Sequence, residues 1–254
     1  MIKSLTQIAK LNSLVSEAKL TRFNSLLPMK IDVLDELIPG KYKLQVGTKQ
    51  LETKSNLKLD VGESYWGVMK DHPKKGITLS NLLKQPKLLK NIQNIPKFDL
   101  QTLNNLFEKE SPKSELKTVL LEHLSRSSSR SEFMTLTSMI EAINQNVFTF
   151  VFDQGGKEAI FQFKKRASKR RGAKKDEDAK IDFYAAFSNL GPVEGVVEVI
   201  KDIKTLSLYL YYENSLEFLK SELKSIDMQV KLYKKDKTIE PLFHLTPSLL
   251  DIRG

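Results

Sequence analysis

The stretch from Lys180 to Lys235 limits the possible folds of this chain most strongly, because its hydrophobic residues recur with two different periods. From Ile181 to Phe187 every second residue is hydrophobic, a pattern that predicts a half-buried strand. Similar hydrophobic runs predict three more strands. They lie at Val193–Ile200, Leu206–Tyr212 and Met228–Tyr233.

A helix is predicted between the third and fourth of these strands. Asn214 is a suitable N-cap, and Glu217 follows three residues later, as in a capping box. Hydrophobic residues then recur at helical spacing and form a stripe that can pack on a sheet: Leu216, Leu219, Leu223 and Ile226. The order of strand, strand, strand, helix and strand predicts an α+β unit, in which a mixed sheet carries one amphipathic helix.

The turn between the first two of these strands carries a resemblance to a known family. Its sequence is Leu190-Gly191-Pro192-Val193, followed by a valine-rich strand, a second apolar strand, the amphipathic helix and a last strand. Over about a quarter of the chain, this pattern resembles the C-terminal domain of flagellar hook-length control proteins. That family often has a proline three residues before the leucine, a position that Phe187 occupies here.

The resemblance implies a non-enzymatic protein that binds the cytoplasmic domain of the flagellar type III export gate. Such a protein switches export from rod-and-hook proteins to filament proteins. It would be cytoplasmic, and it could itself be exported through the same apparatus. The resemblance further implies that Leu190, Gly191, Pro192 and Val193 shape the partner-binding surface, although these residues also fit a purely structural turn.

The other segments complete the predicted α+β architecture. Residues 1–27 are predicted as a helical or mobile terminal segment, which the resemblance would make an export signal. Short strands and glycine turns predict a small β module over residues 28–75, either OB-like or a curled sheet. Hydrophobic residues at helical spacing predict a helical linker or subdomain over residues 76–146. The C-terminal domain, 147–240, would begin with a hairpin that extends the sheet at its edge, and a tail would follow over residues 241–254.

The net charge of +10 is concentrated in one segment, because eight positive charges and no acid fall between Lys164 and Lys175. This basic loop, 164–178, ends in the acidic residues Asp176, Glu177 and Asp178. It could be a solvated loop with an acidic counterweight, an arm that binds an acidic protein, or a salt-sensitive contact with nucleic-acid phosphates. The candidate partner-binding residues are Lys164, Lys165, Arg166, Lys169, Arg170 and Arg171.

Aromatic residues in the β module bear on the alternative that the chain binds nucleic acid. Tyr42, Tyr65 and Trp66 have lysines nearby in the sequence and could stack on bases. Trp66, the only tryptophan, sits within a strand pattern and is predicted to pack in the core. A third possibility is a structural or export-accessory protein.

The sequence offers no motif typical of an enzyme. It has no cysteine, which excludes disulfides and thiolate chemistry, and its three histidines are far apart. The glycines at 155–156 precede a lysine but lack the spacing of a phosphate-binding loop. The chain is therefore predicted to have no catalytic residues, no cofactor and no metal. With no apolar run of 18 residues, it is also predicted not to insert into a membrane.

Overall fold

A computed structural model describes residues 27–72, 76–90, 92, 95–154, 157–166, 178–200, 203–223 and 228–245. The protein has the predicted α+β fold, with an N-terminal antiparallel sheet, a group of helices and a C-terminal mixed sheet with a helix. The strands are β1 (Met29–Ile38), β2 (Lys41–Val46), β3 (Lys49–Lys54), β4 (Ser64–His72), β5 (Gly76–Lys84), β6 (Lys97–Phe98), β7 (Val147–Gln154), β8 (Lys157–Lys165), β9 (Asp178–Phe187), β10 (Gly191–Ile200), β11 (Ile203–Leu210) and β12 (Gln229–Lys234). The helices are α1 (Lys87–Lys90), α2 (Leu100–Glu108), α3 (Pro112–Ser125), α4 (Arg130–Asn144) and α5 (Glu213–Glu222).

The N-terminal sheet has five strands in the order β3-β2-β1-β4-β5. All of its neighbouring strands are antiparallel, and β3 and β5 are its edges, so the sheet is open and does not close into an OB-like barrel. It has a small core of its own, formed by Ile31, Val33, Tyr42, Leu44, Val46, Leu59 and Tyr65.

Strand β5 corrects the prediction that the helical region begins at residue 76. Leu79, Leu82 and Leu83 have helical spacing in the sequence, yet they lie on a strand that pairs with β4. A register shift opposite Gly67 inserts an extra residue, and Asn81 there has a φ of 54°. Such a bulge breaks the two-residue alternation by which a strand is recognised in a sequence. The helical prediction is confirmed for α2, α3 and α4.

The C-terminal sheet has seven strands in the order β12-β11-β10-β9-β8-β7-β6. Only the outer pairs, β6–β7 and β11–β12, are parallel. The hairpin of β7 and β8 extends the sheet next to β9, as predicted. The edge of the sheet on this side is formed by the two-residue strand β6, and not by the hairpin.

The registers between β7 and β12 are regular, so each cross-strand row of side chains lies on one face. We call the face that carries Phe150, Phe161 and Phe183 the front face. Helix α2 covers part of it, because Phe107 contacts the rings of Phe148 and Phe150. The ring of Phe183 lies over Gly195, where a Cβ atom would come within 2.1 Å of the ring.

The opposite, back face is buried only in part. Strand β9 was predicted to be half-buried, but Tyr184 and Ala186 on the back face are as inaccessible as the front-face residues. The reason is tertiary: residues from the N-terminal sheet and from the C-terminal segment cover this part of the back face. Pro192 at the start of β10 is also buried, whereas the later back-face residues of β10 and those of β11 and β12 are partly or fully exposed.

Helix α5 crosses from β11 to the parallel strand β12, and Leu219 and Leu223 are buried as predicted. Its N-terminus differs from the prediction: Asn214 lies inside the first turn, and Tyr212 occupies the N-cap without a side-chain capping bond. Contacts of the Tyr212 ring elsewhere in the molecule fix this residue. Ile226 lies outside the described residues.

Candidate functional site

The four residues predicted to shape a partner surface, Leu190, Gly191, Pro192 and Val193, are all buried. Leu190 ends the tight connection between β9 and β10, and the other three residues begin β10. The carbonyl of Leu190 accepts a hydrogen bond of 3.0 Å from Ser215 Oγ at the start of α5. In this structure none of them presents a side chain to a partner. Their sequence pattern reflects the packing of a turn, and a contact role for them stays a prediction.

Glycine is required at position 191 for two reasons. Its φ of +79° lies in the left-handed region, which residues with a side chain rarely adopt. In addition, a Cβ atom there would come within 2.6 Å of the Tyr212 ring. The hydroxyl of Tyr212 donates a hydrogen bond of 2.9 Å to Asn81 O on β5. The turn thus fixes a tyrosine that joins the two sheets.

The basic loop is described only at its start. Lys164 and Lys165 end β8 and are exposed, as is Arg166, whose Nε lies 2.5 Å from Asp182 Oδ2. Lys169, Arg170 and Arg171 lie outside the described residues. A partner-binding role for this segment stays a prediction.

The aromatic residues that could have stacked on bases are buried. Tyr42 and Tyr65 belong to the core of the N-terminal sheet, and Trp66 packs in the core of the C-terminal sheet. The indole Nε1 of Trp66 donates a hydrogen bond of 2.9 Å to Phe187 O. The prediction that Trp66 packs in the core is confirmed, and these three rings do not form an exposed platform for bases.

A segment after β12 crosses the back face, and we call it the strap (residues 235–245). The backbone N of Lys235 donates to Leu210 O at 2.8 Å, and its ammonium pairs with Glu194. At the other end, Gln162 Nε2 donates to Phe243 O at 2.8 Å, and Gln162 Oε1 accepts from Phe243 N at 3.1 Å. Because Gln162 is buried, this pair of bonds fixes the strap to β8. Residues 241–245, predicted as part of a tail, thus belong to the folded body.

A cavity of about 570 Å³ lies where the strap, the N-terminal sheet and the back face meet. Trp66, Leu82 and Leu83 line it from the N-terminal sheet. Ile160, Gln162 and Tyr184 line it from the back face, and the strap contributes residues from Thr238 to Leu245. The sequence did not reveal this cavity, because its lining comes from three distant segments.

Besides Gln162, two polar side chains of this cavity, Tyr184 and Gln85, are buried. Burial strongly raises the pKa of the Tyr184 hydroxyl, and the negative charge of Glu240 adds to the effect, so Tyr184 is neutral at physiological pH. Gln85 is 6% exposed, and its Nε2 has no hydrogen-bond partner among the described residues. At the rim, Lys84 pairs with Asp60 at 2.7 Å, which raises the pKa of the lysine and lowers that of the carboxyl.

The other end of the sheet has an exposed surface, which we call the β12 edge surface. It comprises strand β12, Tyr209 on β11, and the tip of the β10–β11 hairpin. The rings of Tyr209 and Tyr233 stack with centroids 5.0 Å apart. At the hairpin tip, Ile200 and Ile203 are 51% and 56% exposed. Aromatic and aliphatic groups are therefore available to a partner beside an edge strand.

Within the part of the chain that the structure describes, no group of three or more His, Asp or Glu side chains could hold a metal ion. His123 lies on α3 and His244 on the strap, 4.0 Å from Glu240. Over the same residues, no helix is both long and apolar enough to cross a membrane.

Comparison of the chain with family models, with curated proteins and with solved structures found no match.

Proposed function

We propose that this protein is a non-enzymatic, cytoplasmic interaction protein of the flagellar hook-length control type. It binds the cytoplasmic domain of the type III export gate and switches export from rod-and-hook proteins to filament proteins. The order β9, β10, β11, α5 and β12, with a Leu-Gly turn after β9, supports this proposal, because it is the order that the resemblance implies.

The observation that carries the proposal is the β12 edge surface. β12 is the last strand of its sheet, so within the described residues one side of its backbone has no strand partner. An edge strand of this kind can accept an extended segment of another protein as an additional strand. The tyrosine pair, of which Tyr233 is exposed, and the two isoleucines at the hairpin tip, six residues away along β11, offer side-chain contacts that would make such pairing selective.

The charges of this edge indicate the partner's chemistry. Lys231 and Lys234 are exposed on β12, and Lys237 follows in the strap. Lysines on an edge strand oppose pairing between two copies of the same chain, because the two edges repel each other. They favour an extended partner segment that carries Asp or Glu beside its hydrophobic residues.

Deletion of the gene tests the cellular role. Hook length is scored by electron microscopy, and filament assembly and motility are scored in the same cells. The proposal predicts overlong hooks that lack filaments, with recovery when the gene is supplied again. Normal hooks bearing normal filaments would contradict it.

A binding experiment tests the surface itself. The purified protein is titrated with the purified cytoplasmic domain of the export gate, and Tyr233→Ala is compared with Phe133→Ala. Both aromatic side chains are 43% exposed, but Phe133 lies on α4, away from β12. We expect Tyr233→Ala to weaken binding about tenfold, as loss of an interface aromatic often does, and Phe133→Ala to have no effect. Equal effects of the two variants would exclude the β12 edge surface.

A further inference from the structure

The back face carries an accessible surface beside the strap. The cross-strand registers place one row of side chains from Lys164 to Lys231 and a second row from Arg166 to Gln229, across β8, β9, β10, β11 and β12. We call these two rows, together with the tyrosine pair of the β12 edge surface, the open back surface. None of its side chains is buried. Five strands spaced about 4.8 Å apart give it a width of roughly 19 Å.

Both carboxylates of these two rows are paired with bases of the same surface. Arg166 Nε lies 2.5 Å from Asp182 Oδ2, and the ammonium of Lys180 pairs with Glu198. The negative charges of the open back surface are therefore neutralised by neighbouring bases, and they do not repel an anionic ligand.

Two further lysines add positive charge to this surface. Lys164 and Lys231 are exposed at opposite ends of one row, and neither has an ion pair within the residues that the structure describes. The basic segment of the sequence begins at the same place, because Arg166 follows β8 directly and residues 167–175 bring five more bases and no acid. An excess of positive charge on one surface attracts polyanions such as the backbone of a nucleic acid.

Tyr233 offers an aromatic ring at the end of this surface. One side of the ring stacks on Tyr209, with centroids 5.0 Å apart and 18° between the ring planes. Tyr233 is 43% exposed on the last strand of the described sheet, so the outer side of its ring is accessible. Proteins that bind single-stranded nucleic acid combine these two features: bases stack on aromatic rings, and phosphates contact nearby lysines and arginines.

We propose that the open back surface binds single-stranded nucleic acid. One base stacks on the outer side of the Tyr233 ring, and the phosphates contact Lys231 and Lys164 as the strand crosses the sheet. Ser207 and Thr205 on β11 add hydroxyl groups that can donate to or accept from base edges. The width of the surface suits about two or three nucleotides, the number that a four-stranded RNA-binding sheet stacks. Such binding goes beyond the proposed function, which uses the backbone edge of β12 and a protein partner.

Fluorescence anisotropy with the full-length protein tests this binding. The probes are a fluorescein-labelled twelve-nucleotide oligothymidylate, the corresponding oligouridylate and a DNA duplex of the same length. We expect saturable binding of at least one single strand, and weaker binding of the duplex, because the bases of a duplex are stacked inside and cannot reach Tyr233. The affinity should fall as the salt concentration rises from about 50 to about 200 mM. Binding of one single strand alone would identify the ligand as DNA or as RNA, and binding of both would mean that the sugar is not distinguished.

Two consecutive lysines at the end of β8 provide a matched pair of variants. Lys164 and Lys165 are both exposed, but side chains alternate along a strand, so Lys165 belongs to the front face. We expect Lys164→Gln to reduce the slope of log affinity against log salt by about 0.7, as the loss of one phosphate contact to a single strand does. Lys165→Gln makes the same change of charge and should leave the slope unchanged.

Two substitutions of Tyr233 separate stacking from charge. Tyr233→Leu keeps an apolar side chain but removes the ring, and we expect single-strand binding to weaken about fivefold or more. Tyr233→Phe keeps the ring and should bind as the wild type does.

Four results would overturn this proposal. One is the absence of saturable binding by both single strands. Another is a duplex that binds as tightly as they do, or polyglutamate that displaces the labelled strand as effectively as unlabelled strand does, because the surface would then attract any polyanion, including an acidic protein. The third is an equal effect of Lys164→Gln and Lys165→Gln on the salt dependence. The fourth is unchanged binding by Tyr233→Leu, because no base would then stack on that ring.

Discussion

Two halves of the C-terminal sheet share one front face but differ on the back. In the covered half, β7, β8 and β9, even Thr149 and Gln162 of the back face are inaccessible, and the strap and residues of the N-terminal sheet contact β8 and β9. In the open half, β10, β11 and β12, the corresponding row runs through Glu194, Tyr209 and Tyr233, which are partly or largely exposed. The back face of one sheet is therefore part of the hydrophobic core in the covered half and an accessible surface in the open half.

The sequences of the two halves follow this difference. Strands of the open half alternate, as in Leu206, Ser207, Leu208, Tyr209 and Leu210 on β11. Strands of the covered half have continuous hydrophobic runs, such as residues 150–152 on β7 and 159–161 on β8, because both of their faces are buried. Alternation of hydrophobic and polar residues therefore indicates strands whose back face remains available for a partner. Loss of this alternation indicates strands whose back face is covered by other parts of the chain.

The largest expected effect is in the covered half. Phe150→Ala removes a buried ring that contacts Phe98, Phe107, Phe161 and Phe163. We expect the free energy of unfolding to fall by about 3–5 kcal/mol, because the substitution leaves a cavity in a packed core. In the open half, Tyr233→Ala should lower it by less than about 1 kcal/mol. Urea denaturation of both variants measures the difference, and equal losses would mean that Tyr233 at the open end is packed as closely as Phe150.

A smaller effect is expected from releasing the strap. Gln162→Leu removes both hydrogen bonds to Phe243, and we expect the free energy of unfolding to fall by about 2 kcal/mol, because buried partners are left unsatisfied. Hydrogen exchange should become faster over residues 239–245 and stay unchanged in β12. An exposed glutamine variant, Gln101→Leu, is the control. Unchanged exchange in the strap of Gln162→Leu would show that other contacts fix it.

Much of the fold could be predicted from local patterns. The strands and helix between Ile181 and Tyr233 follow hydrophobic periods that depend on neighbouring residues, and the structure has them where they were expected. Among the predictions that were wrong, those for β5 and for the N-cap of α5 failed because distant contacts decided them. Strand β5 has a bulge that imitates helical spacing, and the N-cap of α5 is a tyrosine held through Gly191 and Asn81.

The candidate sites were harder to predict from the sequence than the fold was. The residues Leu190–Val193 stand out in the sequence because a tight, buried turn requires residues of this kind. Since all four are buried, they offer no exposed surface for a contact. The cavity combines Trp66, Gln85, Tyr184 and the strap, which are separated by many residues in the chain. Long-range contacts such as the pairing of Gln162 with Phe243 and of Trp66 with Phe187 bring them together, and these contacts leave no periodic signal in the sequence.

The smallest expected effect concerns the boundary between the two sheets. Tyr212→Phe removes the hydrogen bond to Asn81 O, and at neutral pH we expect a loss of about 1 kcal/mol in the free energy of unfolding. The loss should depend on pH, because burial raises the pKa of the Tyr212 hydroxyl above its ordinary value.

Below about pH 10 this tyrosine is neutral in both the folded and the unfolded chain, so pH has no effect through it. Above that pH the unfolded chain ionises Tyr212 and the folded protein does not, so the wild type loses up to about 1.4 kcal/mol of stability per pH unit through this residue. The variant lacks this loss. The stability gap between wild type and Tyr212→Phe should therefore narrow as the pH rises from about 9 to about 11 in urea denaturation. A constant gap would mean that the Tyr212 hydroxyl ionises as easily in the folded protein as in the unfolded chain, and that the contact between the sheets does not exclude water.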